Sequence, residues 1–179
     1  VLQLFTPSIV GRGNIFAAYA AITAPVIYTA TAGVGGPLLW NGSQASGGKG
    51  VTAFLLGVSM GVTTASTVAG ALGIGGGTGQ TAAPTTTTAI TLSGPLKIDG
   101  PSPQCNVYNV GTVANAASTF LPLSEVLTGA LTNTGIFPAW IDLEGAIQVP
   151  AKTWAAVLAT ATLTSAVVQV GLVWLEIPN

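Results

Sequence analysis

Charge is what this sequence has least of. Its 179 residues carry four basic side chains, five acidic ones and no histidine, for a net charge of −1. Residues 51–96 contain no charged side chain at all. Without histidine no Ser-His-Asp set can be assembled, and no motif surrounds any lysine, so an enzyme is not expected. The near-zero net charge gives no electrostatic case for nucleic acid or for an anionic membrane surface. A single cysteine, Cys105, excludes an intrachain disulfide framework and a cysteine-rich zinc site. With no histidine to activate it, Cys105 is expected to be a buried structural thiol. Neither a cofactor nor a metal ion is expected.

Long hydrophobic runs are also missing, although the mean hydropathy is high at +0.68. A spanning helix needs about 20 predominantly apolar residues. Two uncharged windows are long enough, 54–77 and 153–175, and both fail on content. The first is broken by Gly57, Gly61, Gly70, Gly73 and Gly75 to Gly77, and the second by Thr160, Thr162, Thr164, Ser165 and Gln169. The cations Arg12, Lys49, Lys97 and Lys152 are scattered rather than clustered on one side of any span. No basic stretch followed by an apolar run opens the chain, so no signal peptide is read. No membrane association is expected.

Strand formers dominate what remains: Val, Ile, Thr and aromatics in short runs between Gly, Pro, Asn and Ser. In 51–62, period 2 places Thr52, Phe54, Leu56, Val58, Met60 and Val62 on one face. In 140–149, Ile141, Leu143, Ile147 and Val149 point one way, while Trp140, Asp142, Glu144 and Gln148 point the other. Pro150 stops that strand, because proline cannot donate to a ladder. Residues 155–163 follow as a strand of small residues, and Thr164-Ser165 makes a tight connection. The last strand, 167–177, is apolar on both faces: Val168, Val170, Leu172 and Trp174 on one, Val167, Val173, Leu175 and Ile177 on the other. Such a strand has both faces covered. The opposite sheet supplies one cover, and the other must come from a further layer or a second subunit.

Earlier segments read less sharply. Residues 25–31 and 37–40 form short strands around the turn at 33–36, and Asn41-Gly42 signals a turn. Residues 107–113 and 120–131 are strands. The pattern of 14–24 suits either a helix, with Ile15, Tyr19 and Ile22 on one face, or a strand. Residues 73–88 read as a long Gly/Thr/Pro loop. About seven to ten short strands with little helix specify an all-β antiparallel sandwich or jelly roll. No boundary divides the chain, so 1–179 is read as one domain with 1–13 as an N-terminal arm.

Few motifs carry chemistry. Residues 73–81, GIGGGTGQT, approach a phosphate loop, but Ile74 stands where the first glycine should be and Gln80 replaces the lysine. Asn41-Gly42-Ser43 matches a glycosylation acceptor, for which the turn is sufficient explanation. Asp142 and Glu144 share a strand face with Trp140, and these three form a candidate exposed binding patch, since an exposed tryptophan can stack on a sugar or pack on a partner.

The stretch GAIQVPAKTWAAVLATATLTSAVVQVGLVWLEIP, residues 145–178, resembles the closing strands of small phage virion proteins with trimeric jelly-roll folds of the tumour-necrosis-factor type. FLLGVSMGVT at 54–63 and GTGQTAAPTTTTAI at 77–90 are similar to such proteins too. The resemblance implies a homotrimeric capsid decoration (cement) protein, located in the virion and in contact with the major capsid protein or another virion protein. It carries over no catalytic residue and no cofactor. The alternative is a head or tail appendage that binds a receptor or glycan, and a membrane-inserted protein stands third. For the subunit contact, the two faces of the last strand stand as alternatives: Val168, Val170, Leu172 and Trp174, or Val173, Leu175 and Ile177.

Overall fold

A computed structural model describes residues 14–42, 50–90, 103–124 and 139–179, and among these there are ten strands and no helix. They are β1 (Ile15–Thr23), β2 (Val34–Asn41), β3 (Val51–Thr64), β4 (Leu72–Gly77), β5 (Thr85–Ala89), β6 (Asn106–Thr112), β7 (Thr119–Pro122), β8 (Ala139–Val149), β9 (Thr153–Ala159) and β10 (Val167–Pro178). They build a β-sandwich of two antiparallel sheets: a four-stranded sheet in the order β1-β10-β3-β8 and a six-stranded sheet in the order β5-β6-β2-β9-β4-β7. The two halves of the chain interleave. β10 lies between β1 and β3, and β9 lies between β2 and β4.

Alternation along β10 sets the core. Val168, Val170, Leu172 and Trp174 are fully buried between the sheets, where they join Leu39, Leu55, Leu72 and Val157. Phe16 and Trp174 are cross-strand partners with ring centroids 5.8 Å apart. This corrects the first alternative for the subunit contact. Those four side chains are interior to a single chain and cannot reach a second copy. The opposite face of β10 points away from the core, with Val173 and Leu175 half-buried and Ile177 44% exposed.

β3 departs from strict period 2. Val51, Ala53 and Leu55 point inward, and so do Val58, Met60 and Val62, so the phase flips between them. The cause is a bulge at Leu56: Leu55 pairs with Trp174 and Ile147, whereas Gly57 pairs with Val173 and Asp142. On the β8 side, 143–146 are looped out of register at the same place, with Glu144 and Gly145 at φ 49° and 76°. An inserted residue moves every later side chain to the other face, which places Phe54 outside rather than alongside Val58.

The glycine-rich stretch read as a loop contains two strands, β4 and β5. β4 pairs with β9 on one side and β7 on the other. Its glycines accept bulk from their neighbours. A Cβ at Gly75 would stand 2.5 Å from Leu158 Cδ1, and one at Gly77 would stand 2.6 Å from Trp154 Nε1. Residues 25–31, read as a strand, instead lay Val26 and Tyr28 on the outer face of the six-stranded sheet. There Tyr28 stacks on Phe120 at 5.1 Å, and Trp40, Trp154 and Leu158 are covered. Residues 14–24 resolve as strand β1, and the turn at Thr164-Ser165 is present, with Ser165 at φ 64°. Part of the strand expected at 120–131, and the N-terminal arm 1–13, lie outside the described residues.

Three buried polar side chains tie distant segments together. Asn41, at the end of β2, donates from Nδ2 to the carbonyls of Val51 and Val149, both at 2.8 Å, and so joins one sheet to the other. The glycosylation motif therefore begins on an interior amide. Gln80, at the place of a phosphate-loop lysine, accepts from Asn115 N–H at 2.9 Å and donates to the Asn115 carbonyl at 3.1 Å. The Glu176 carboxylate accepts from the N–H groups of Gln104 (2.8 Å) and Cys105 (3.0 Å) and from Trp174 Nε1 (3.1 Å), and so anchors the start of β6 to the end of β10.

Candidate interaction surface

The two sheets differ in how their outer faces are treated. Over the six-stranded sheet the chain supplies its own cover, which is why every residue of β9 is buried. On the outer face of the four-stranded sheet the described residues build no such layer over the row where Tyr19 is 59% exposed and Trp140 is 56% exposed.

Strand register arranges this face in rows. One row runs Tyr19, Gly171, Ser59, Trp140 across all four strands. The next runs Ala17, Val173, Gly57, Asp142, and beyond it Leu175 pairs with Phe54 and Phe54 with Gln148. The sequence-derived patch of Trp140, Asp142 and Glu144 and the outer β10 face of Val173, Leu175 and Ile177 are thus parts of one surface. The surface is graded: apolar toward Leu175, Phe54 and Ile177, and polar with small residues toward Gln169, Gly61 and Thr63.

Local geometry fixes the two aromatics. The Trp140 indole lies across Gly57, where a Cβ would collide with its ring. Tyr19, missed in the sequence reading, leans over β10 and donates its hydroxyl hydrogen bond to Gln169 Oε1. The signal for it was available. Phe16, Ala18, Ala20 and Ile22 alternate inward, which puts Tyr19 outside once the segment is a strand. Asp142 has a structural duty: its Oδ1 accepts the Glu144 N–H at 3.0 Å and stabilises the bulge. Among the described residues the only cation is Lys152, in the turn before β9 and off this face.

Elsewhere the chemistry is quiet. Cys105 is buried and free, and its thiol is pushed well above the ordinary range by burial first, then by the negative charge of Glu176 and its hydrogen bond. A thiol so held is not a nucleophile. A cleft of about 380 Å³ between β8 and the β7 edge of the other sheet is lined by Ile74, Phe120, Leu121, Ile147 and Trp154 among others, with no titratable side chain. Among the described residues no group of three His, Cys, Asp or Glu side chains could hold a metal ion, and no helix is long and apolar enough to cross a membrane. Comparison with protein-family models, with curated proteins and with solved structures found no match.

Proposed function

We propose that this chain is a structural subunit of a phage virion, a capsid decoration (cement) protein that acts as a homotrimer through protein–protein contacts and catalyses no reaction. The observation that carries the reading is the strand order. With β5 and β6 set aside as an addition at one edge, the remaining eight strands run β1-β10-β3-β8 and β2-β9-β4-β7. That interleaving matches a jelly roll of two Greek keys, an architecture used by viral capsid domains and lectins. The graded outer face supports the trimer. Its apolar end offers Val173, Leu175, Phe54 and Ile177 to a neighbouring subunit, and obligate interfaces are more apolar than ordinary surface. A closed ring of three uses a heterologous contact, so this end meets a different patch of the next copy.

The test is native mass by analytical ultracentrifugation, followed by co-sedimentation with capsid shells that lack their decoration protein. The expected species is three times the 17.7 kDa chain. Val173→Lys and Leu175→Lys are expected to fold and to run as monomers that no longer sediment with shells. A wild-type monomer at all concentrations, or lysine variants that stay trimeric, would overturn the assignment. Exposure of Tyr19 and Trp140 favours a second reading, in which the same subunit presents a ligand-binding face.

A further inference from the structure

We infer that the middle of the outer face of the four-stranded sheet is a binding site for a neutral oligosaccharide, with Trp140 and Tyr19 as stacking platforms at its two ends. The inference does not depend on the virion reading, because it rests on the row Tyr19, Gly171, Ser59, Trp140 and the residues beside it.

The two residues stand on the outermost strands of the sheet, their backbones three strand spacings or about 14 Å apart, and both rings lean inward, Tyr19 over β10 and Trp140 over Gly57 of β3. Between them the floor is low. Gly171 has no side chain, and a Cβ there would stand 2.5 Å from the Ser59 hydroxyl. The result is a face on which two exposed aromatics flank small residues, with polar groups beside them. A pyranose has the matching chemistry: an apolar C–H face that lies on an aromatic ring, and a rim of hydroxyls that donate and accept. The rim groups here are the Ser59 hydroxyl, the Gln169 amide and the Asp142 carboxylate. Gln169 accepts from Tyr19 through Oε1, which leaves its NH₂ to donate. Asp142 uses one oxygen on the bulge and retains further acceptor positions.

Both rings are pre-positioned. Trp140 is laid on Gly57 and Tyr19 is tethered to Gln169, so little freedom is lost on binding. Aromatics of this size left mostly in water mark interaction sites more often than ordinary surface does. Charge selects the class of ligand. The face has no cation among its described residues and two carboxylates, Asp142 and Glu144, on its β8 side. Nucleic acid and acidic or sulfated glycans are therefore repelled, and a neutral polyol is not.

Fluorescence gives a direct test, because Trp140 is the one exposed tryptophan of the four: Trp154 and Trp174 are fully buried and Trp40 nearly so. Acrylamide quenching of the wild-type protein thus reports on Trp140. The probes are neutral tetrasaccharides of β-linked glucose, α-linked glucose and β-linked N-acetylglucosamine, first immobilised for screening and then titrated in solution. At least one is expected to bind and to shield Trp140 from acrylamide. Trp140→Ala and Tyr19→Ala should each weaken binding roughly tenfold or more. Leu121→Ala, at an exposed position on the other sheet, should not, and thermal melts establish that all three variants fold. Absence of protection by every probe at millimolar concentration overturns the site, as does affinity unchanged from the wild type in the two aromatic variants. Protection that grows with protein concentration alone overturns it too, since a second copy then covers the face.

Discussion

Leu172 and Val173 are neighbours in sequence and opposite in fate, which makes them a sharp test of the register of β10. Leu172 is fully buried between the sheets, whereas Val173 is half-buried on the outer face. Leu172→Ala removes interior methyl groups and leaves a cavity that the surrounding strands refill only in part, at a cost of about 2–5 kcal/mol. For a domain of this size each kcal/mol moves the melting temperature by about 2–4 °C, so the midpoint should fall by roughly 10 °C. Val173→Ala loses less apolar area and creates no enclosed void, so under about 1 kcal/mol is expected. Urea titrations followed by circular dichroism give both numbers, repeated at two protein concentrations. The Leu172 penalty should be independent of concentration, because it arises within one chain. Any Val173 effect beyond its small intrinsic term should grow with concentration, because it reports on association. Equal penalties for the two substitutions, or a larger one at Val173, would refute the register, since a one-residue slip exchanges the two faces along the whole strand.

Two further outcomes follow from the buried polar groups. Glu176→Gln keeps the shape but replaces a carboxylate that accepts three N–H bonds with an amide whose own NH₂ must face a donor. The expected loss is about 1.5–3 kcal/mol by urea denaturation, and an unchanged midpoint would show that the carboxylate is not holding the start of β6. Cys105 predicts an alkaline limb. Burial and Glu176 raise its folded pKa above the unfolded value of about 9, so the neutral thiol's contribution is complete below pH 9. As pH rises beyond that point the unfolded chain gives up its proton first, and stability declines by up to about 1.4 kcal/mol per unit until the folded thiol also ionises. Cys105→Ala should flatten this limb in melts run from pH 8 upward, and the native thiol should react with iodoacetamide only at the rate of unfolding.

Legibility in the sequence tracked how local each cause was. The faces of β8 and β10 were readable because alternation of large and small polar character is carried by the strand itself, and Pro150 and Thr164-Ser165 mark breaks within a few residues. β4 was not readable. A run of glycines looks like a loop until Leu158, Trp154 and Phe120 are placed over it, and those residues lie some 40–80 positions away in sequence. The phase of β3 was lost at Leu56 for a related reason, since the bulge exists only in relation to β8 and β10. The candidate surface was half legible. Trp140, Asp142 and Glu144 were found by period 2, but Tyr19 sits about 120 residues earlier, and only the pairing of β1 with β10 brings it into the same row. Which face of β10 is interior could not be told from two equally apolar sets.

A strand apolar on both sides requires two covers, and the fold satisfies that requirement in two ways. β9 meets it within the chain: the core lies on one side, and Val26, Tyr28, Ala117 and Phe120 pack around the cluster on the other. Among the described residues β10 meets it fully on one side only, since Val173 and Leu175 are half-buried on the other. The crossings between β1 and β2 and between β6 and β7 place Val26, Tyr28 and Ala117 against the outer cluster of the six-stranded sheet. On the outer face of the four-stranded sheet, the rows bearing Leu175, Phe54 and Ile177 are the more apolar end, and the rows bearing Ser59, Gln169 and Gly61 the more polar one.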